Sequence, residues 1–220
     1  LAQIYNLGAN DYIAWNITSS VTVGTTTGDD LFGNAYTTTF TTVTTYGKVG
    51  TVSGTSPASG EARNYIAWNI ISSYTVGTTT GDDLFGNTYT TTFTTFTQYG
   101  KVHADVTGTS PVNGAPRSYI AWNITSSVTT GTTTGDDLFG NQYKTTFTTT
   151  TNYGEVGHAN KNGKNYIAWN IMSSHTSGTT IGDDLFGNQY KTVFDTYTQY
   201  GDANGQGGGA TISKDATTGA

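Results

Sequence analysis

One 36-residue block occurs four times in the chain with no gap inside any copy, and this repetition constrains the fold more than any other feature. The copies span residues 12–47, 65–100, 119–154 and 166–201. Each begins with Tyr-Ile-Ala-Trp-Asn-Ile, carries Gly-Asp-Asp-Leu-Phe-Gly-Asn in its middle and ends with Tyr-Gly. Near-identical tandem units predict quasi-symmetry, with a shared core and a repeated surface. We expect a single domain over residues 1–220, ending in a Gly-rich tail over 202–220.

The composition predicts an all-β fold. Hydrophobic residues are only 34% of the chain, but 13% are aromatic, and each aromatic side chain can replace several aliphatic ones in a core. Most of the remainder is Thr, which favours strands, and Gly, which favours turns. Leu, Glu and Met are scarce, so little in the chain favours helices.

Within a block, the alternation of side chains predicts three or four strands. In the first unit, residues 12–17 alternate two faces, and we expect the face with Ile13, Trp15 and Ile17 to be buried. A Thr-rich strand over 21–27 follows. Turns at 28–30 and 33–34 then lead into one long strand over 35–46, because Gly, Asp and Asn tolerate turn conformations. The connector after it, with Val49 and Val52, can add an outer strand.

A period of about 50 residues built from short antiparallel strands predicts a four-bladed β-propeller. A β-prism and a tandem-barrel arrangement remain open as alternatives. A solenoid is disfavoured, because the connectors over 48–64, 101–118 and 155–165 vary in length. The shorter last unit indicates ring closure, completed by residues 1–11 or by a strand near Ile212.

Two short motifs in each unit resemble the hemopexin-like family of four-bladed propellers. Ala-Trp lies in the first strand and Phe-Gly-Asn-x-Tyr in the second half, at positions 14–15 and 32–36, 67–68 and 85–89, 121–122 and 139–143, and 168–169 and 186–190. The resemblance implies four blades around an axial ion. The family pattern has Asp just before the first strand, whereas Asp11, Asn64, Ser118 and Asn165 stand here. The terminal disulfide of animal members cannot form without cysteine.

Charge and cysteine content exclude several classes of protein. The net charge of −6 argues against a nucleic-acid partner, which would need clustered Lys and Arg. No apolar run is long enough for a transmembrane segment, so we expect no membrane partner. The absence of cysteine excludes disulfides, thiol catalysis and zinc–thiolate sites. Initiator Met is not normally removed before Leu, so a first residue Leu1 indicates a processed chain and favours an extracellular location.

Paired aspartates are the candidate metal ligands. From each pair we select the second residue, which gives Asp30, Asp83, Asp137 and Asp184. Calcium or another divalent ion would take oxygen ligands of this kind, with one group from each unit on the shared axis. The alternative is that the pairs cap turns, because adjacent residues in a strand point apart and rarely chelate one ion.

Tyr-x-x-Trp pairs are the candidate ligand-binding residues. They are Tyr12 and Trp15, Tyr65 and Trp68, Tyr119 and Trp122, and Tyr166 and Trp169. Their faces could stack on sugar rings or planar ligands, and four such pockets would give multivalent binding. The alternative is packing between neighbouring units, which the flanking Ile residues favour for the Trp.

No catalytic constellation recurs in the four units, so we expect a protein that is not an enzyme. Our first functional hypothesis is a propeller that holds an aromatic or apolar small molecule, such as a pigment chromophore, with an ion on its axis. A multivalent carbohydrate-binding lectin is the alternative, and a structural role is the third. Functional differences are expected where the copies disagree, at Ala35, Thr37, Val43 and their equivalents. A single asymmetric ligand would exploit these differences, whereas a fourfold lectin would show them only outside its sites.

Overall fold

The computed structural model describes residues 2–6, 11–56, 59–103, 106–109, 114, 116–161, 164–200 and 211–213. Within them the chain forms strands and turns and contains no helix, so no helix there is long and apolar enough to cross a membrane. The strands are β1 (Ala2–Asn6), β2 (Asp11–Trp15), β3 (Ser19–Asp29), β4 (Ala35–Thr55), β5 (Ala62–Asp82), β6 (Thr88–Lys101), β7 (Val106–Thr109), β8 (Pro116–Tyr119), β9 (Trp122–Asp136), β10 (Gln142–Lys161), β11 (Lys164–Asp183), β12 (Gln189–Gln199) and β13 (Thr211–Ser213).

Several strands are longer than the sequence pattern predicts. The first strand of the unit and its Thr-rich second strand merge into one 21-residue strand in β5 and one 20-residue strand in β11. The connector after the first unit does not add a separate strand, because Val49 and Val52 continue β4. Thr occupies both faces of these strands, so no change of face forces a break.

Nine strands form one open antiparallel sheet in the order β13-β12-β11-β10-β9-β6-β5-β4-β3. The all-β prediction is confirmed, but the four-bladed propeller is not the architecture of this chain. A propeller needs four separate sheets, whereas here the last strand of each unit hydrogen-bonds to the first long strand of the next. In the described residues the edge strand β3 pairs only with β4, so the sheet is not closed.

Constant register gives the sheet two distinct faces. Gly24 lies opposite Phe40 and Gly28 lies opposite Tyr36, and the same pairs recur across the sheet. We call the side that carries these aromatic rings the Phe face. The opposite side carries Asp29, Ala35 and their equivalents, because successive residues of a strand point to opposite sides.

Little of the molecule is buried. The accessible surface of 14574 Å² far exceeds the about 9,700 Å² expected for a compact chain of this length. Among the described residues other than glycine, only Val52 and Ser56 are buried. The burial predicted for the Ile13, Trp15 and Ile17 face is wrong at Ile17, which is 63% exposed and lies in the loop between β2 and β3. The side chains of Ile13 and Trp15 lie outside the described residues.

A small second layer lies against β4 of the main sheet. β7 and β8 pair as a separate two-stranded sheet, and β8 contacts β4. A Cβ on Gly50 would meet the side chain of Ile120, so the two segments pack closely. β1 pairs with β2 in a further two-stranded sheet.

Candidate functional site: a polar trough beside the repeat turns

The Gly-Asp-Asp-Leu-Phe-Gly-Asn segment forms the hairpin turn of every unit, and its second Asp organises that turn. Asp30 Oδ1 accepts hydrogen bonds from the backbone N–H groups of Phe32 (2.9 Å) and Asn34 (3.0 Å). Its Oδ2 accepts a 2.8 Å hydrogen bond from Asn34 Nδ2. Gly33 has φ +76°, a left-handed conformation that favours glycine. The same contacts recur at Asp83, Asp137 and Asp184.

These hydrogen bonds stabilise the charged form of the carboxylate. The side-chain amide of Asn34, followed by its backbone N–H, lowers the pKa of Asp30 below its ordinary value of 3.8. The equivalent Asn residues lower the pKa of the other three turn aspartates in the same way. The turn therefore uses an ionised Asp at neutral pH.

The predicted metal ligands lie in four separate turns. Asp30, Asp83, Asp137 and Asp184 each have both carboxylate oxygens engaged inside their own turn. In the described part of the chain, no three acidic or His side chains converge where a metal ion could sit. An open sheet also lacks the axis on which we expected the ion. The contacts seen therefore agree with the alternative that these aspartates cap turns, while ion binding remains a prediction.

The first Asp of each pair has a different position, on the strand face just before the turn. Asp29 lies opposite Ala35, Ala35 lies opposite Asp82, and this pairing continues across the sheet. The result is one straight row of exposed residues: Asp29, Ala35, Asp82, Thr88, Asp136, Gln142, Asp183 and Gln189. Thr88 Oγ1 donates a hydrogen bond to Asp136 within this row.

A second row runs parallel to the first, two residues further from the turns. It consists of Thr27, Thr37, Thr80, Thr90, Thr134, Lys144, Ile181 and Lys191. The two rows line two adjoining hollows of about 830 and 550 Å³, which share Thr88, Tyr89 and Thr90. We call these two rows and the hollows between them the turn-end trough.

The trough is long, open and polar. It crosses eight strands, and seven intervals of about 4.8 Å give a length of about 34 Å. Carboxylates, amides, hydroxyls and ammonium groups follow one another along it, so seven of its eight strands offer both donors and acceptors, while β11 presents the Asp183 carboxylate beside Ile181. An enclosed site for a drug-sized molecule is instead lined mainly by apolar side chains.

Positions at which the four copies differ lie in the trough. Ala35, Thr88, Gln142 and Gln189 belong to its first row, and Thr37, Thr90, Lys144 and Lys191 belong to its second row. Units one and two therefore present carboxylates and hydroxyls, and units three and four add amides and ammonium groups. The third variable set, with Val43, lies on the same face but six residues further along the strand.

The described Tyr and Trp residues of the predicted ligand-binding pairs make different contacts. Indole Nε1 of Trp68, Trp122 and Trp169 donates a hydrogen bond to a backbone carbonyl oxygen in the preceding unit. Trp68, Tyr119 and Trp122 also line a cavity of about 200 Å³ together with Val52 and Ile66. Tyr65 is half-buried in β5 and does not line it. The side chains of Tyr12, Trp15 and Tyr166 lie outside the described residues.

Comparison of the chain with models of known protein families, with characterised proteins and with solved structures gives no match. The resemblance to hemopexin-like repeats thus rests on the short motifs alone.

The sequence analysis selected the second Asp of each pair as a metal ligand, whereas the first Asp of each pair lines the trough. The signal that distinguishes the two residues is the distance to Asn. The second Asp precedes Asn by four residues, which is the spacing at which its two oxygens reach the Asn backbone and side chain. The first Asp, as in Asp29 and Asp82, ends the strand and remains on the face.

Proposed function

We propose that this chain is a non-enzymatic binding module that holds a linear polysaccharide along the turn-end trough. The proposal takes up the carbohydrate class, which was the alternative hypothesis from the sequence, and replaces four separate pockets with one continuous site. Its ligand is an extended chain because the site is an open trough about 34 Å long.

The single observation that carries the proposal is the row of Asp, Thr and Gln at constant spacing. Side chains from neighbouring strands follow at about 4.8 Å, which is close to the length of one sugar unit in a linear glycan. Carboxylate and amide oxygens accept hydrogen bonds from sugar hydroxyls, while the amide N–H of Gln142 and the ammonium group of Lys144 donate them. Asp stands on every second strand of the row, so a polymer with a two-sugar repeat can make the same contact with each Asp.

The two halves of the trough differ, which favours one ligand lying across all four units. Lys144 and Lys191 lie only in the half formed by the last two units. Four identical sugar sites would not need this difference. A polysaccharide with acidic groups at intervals would place them at these two ammonium groups.

A set of soluble linear oligosaccharides of increasing length, titrated calorimetrically, tests this function. Affinity is expected to rise with length until the ligand spans the trough and then to level off. Removing two amides with Gln142→Ala and Gln189→Ala is expected to weaken binding about tenfold, since a net hydrogen bond is worth about 0.5–1.5 kcal/mol.

The chain offers a matched control at the other end of the same face. Gln98 and Gln199 are exposed, and Gln98→Ala with Gln199→Ala removes the same two groups outside the trough. The control variant is expected to bind as the wild type does. Equal losses in the two variants, or no binding of any linear glycan, would exclude the proposal.

A second candidate function follows from the cavity at Trp68, Tyr119 and Trp122. Its volume of about 200 Å³ lies below the about 300–1,000 Å³ of typical small-molecule sites, so only a single-ring aromatic compound fits. This candidate keeps the small aromatic ligand of the first hypothesis but places it in this cavity, because an open sheet has no axis on which a pocket could lie. Quenching of Trp fluorescence by such compounds, with Tyr119→Ala as the variant expected to lose it, tests this candidate; quenching that persists in Tyr119→Ala excludes it.

A further inference from the structure

Each edge of the main sheet has an open strand segment in the described chain, which is all of Ser19–Asp29 on β3 and residues 189–196 on β12. On β3, residues 22–29 have β4 on one side and no partner on the other within the described chain. On β12, residues 189–196 have no second partner within the described chain, where β13 covers Tyr197, Thr198 and Gln199. Open edges present unpaired N–H and C=O groups to another strand.

The register at the three junctions between units shows what each edge would accept. At every junction a Phe lies opposite a Gly, in the pairs Phe40 and Gly77, Phe93 and Gly131, and Phe147 and Gly178. β12 ends the series with Phe194, and β3 begins it with Gly24. If the outer edge of β12 paired with the outer edge of β3 from another copy in the same register, Phe194 would lie opposite Gly24 and Tyr190 opposite Gly28.

Threonine hydroxyls join neighbouring units at each junction. Oγ1–Oγ1 distances of 2.7–2.9 Å are typical for strong O–H···O bonds, and distances of 2.8 or 2.9 Å connect Thr38 to Thr79, Thr42 to Thr75, Thr91 to Thr133, Thr95 to Thr129, Thr145 to Thr180 and Thr149 to Thr176. All of these threonines are half-buried. Their equivalents at the edges are Thr192 and Thr196 on β12 and Thr26 and Thr22 on β3, and all four are exposed.

The turns also stack from unit to unit, with a Leu of each later turn lying against a Gly of the turn before it. Within the described chain this leaves a Gly without a Leu at one end of the series and a Leu without a Gly at the other. A Cβ on Gly33 would meet Leu84, one on Gly86 would meet Leu138, and one on Gly140 would meet Leu185. Gly187 of the last turn has no atom within 4 Å of that position, and Leu31 of the first turn is 101% exposed. The empty position and the unused Leu are complementary.

We propose that copies of this chain join head to tail, with residues 189–196 of one copy pairing antiparallel with residues 22–29 of the next. Each such contact repeats the junction that already occurs three times inside the chain. Different surfaces meet at the contact, so it leaves a free edge at each end and extends into a filament. The partner is a second copy, because it alone carries the matching Gly, Thr and Leu positions at the matching register. The inference does not depend on the ligand of the trough.

Engineered cysteines test the register directly, since the chain has none of its own. One protein carries Thr26→Cys and another carries Thr192→Cys, so a disulfide between them joins two copies. Mild oxidation of the mixture is expected to give a covalent dimer, while either variant oxidised alone should give little covalent dimer. The side chains should meet, because their internal equivalents lie 2.8 or 2.9 Å apart. Absence of a dimer in the mixture would overturn the proposal.

An out-of-register pair provides the control for random collision. Thr22→Cys mixed with Thr192→Cys places the thiols four residues apart along the strands, about 13 Å, and should give at least tenfold less dimer. Equal yields for the two mixtures would overturn the proposal. Wild-type protein provides a second readout independent of any substitution. Its sedimentation coefficient should increase with concentration, and a monomer at every concentration would overturn the proposal as well.

Discussion

The indole Nε1 of Trp68 donates a 2.7 Å hydrogen bond to the backbone carbonyl oxygen of Ile17, 51 residues earlier in the chain. Trp122 repeats this contact with Ile70, and Trp169 repeats it with Ile124. Each unit is thus joined to the one before it at the end of the sheet opposite the turns. With so little buried surface, contacts between neighbouring units carry much of the stability, as in other one-dimensional repeat proteins.

Replacing Trp122 by Phe is expected to lower the free energy of unfolding by about 1–2 kcal/mol. The change keeps an aromatic ring but leaves the carbonyl of Ile70 without its donor. Urea unfolding followed by circular dichroism measures the loss. Tyr74→Phe is the control, because it also removes one polar group from an aromatic side chain of the sheet, at a position that is 45% exposed. In dilute solution the control should lose less, and an equal loss would contradict the junction role of these Trp residues.

The long hairpins could be predicted from the sequence because the turn fixes their register. Gly24 and Phe40 are equally distant from the turn, as are Gly28 and Tyr36, so each Gly faces a ring once the Asp30 turn forms. The turn itself followed from Gly, Asp and Asn chemistry. Three of the Trp residues donate across a junction, as the packing alternative expects, while ligand binding by them stays a prediction.

Propeller and open sheet could not be distinguished from the same pattern. Both architectures need antiparallel strands of this length. They differ in whether the last strand of one unit pairs with the next unit, as Phe40 does with Gly77 here, or whether each unit forms a separate sheet. Hydrophobic alternation usually identifies the buried face, but Thr covers most of both faces here. The trough was missed for a related reason, because its residues come from eight strands and align only through the register.

The turn aspartates are expected to make stability depend on acid pH. Their pKa is lowered in the folded chain, so their contribution is complete above the unfolded value of 3.8 and is lost as pH falls through the lower folded value. Asp83→Asn keeps the acceptor oxygen Oδ1 but removes the charge. The variant should therefore melt at a lower temperature at neutral pH and lose less between about pH 5 and about pH 2.

Melting temperatures at a series of pH values measure this effect, with Asp82→Asn as the control. The turn hydrogen bonds go to Asp83, while Asp82 lies on the strand face. The control should keep the acid dependence of the wild type. If Asp83→Asn and the wild type lose stability in parallel, the charge of the cap contributes nothing.

Glycine at the junctions is expected to be required for close approach of the units. A Cβ at Gly77 would lie 3.0 Å from the backbone carbonyl oxygen of Thr39 in the preceding unit, in addition to meeting the Phe93 ring. Gly77→Ala should therefore cost about 1–3 kcal/mol of unfolding free energy. At Gly24 the three nearest atoms all belong to the Phe40 ring, which can move aside. Gly24→Ala should cost less in urea unfolding, and equal costs would show that the ring alone limits both positions.

Leu31 and Leu84 are expected to separate assembly from folding. Leu84 packs on Gly33 and is 78% exposed, so Leu84→Ala should destabilise the chain by about 0.5–1 kcal/mol through lost apolar contact. Leu31 is 101% exposed, so its truncation removes no buried apolar surface from an isolated chain. Leu31→Ala should therefore unfold at the wild-type urea concentration but self-associate about threefold more weakly in sedimentation experiments. Unchanged association in Leu31→Ala would show that this side chain does not occupy the open position at Gly187 of a neighbouring copy.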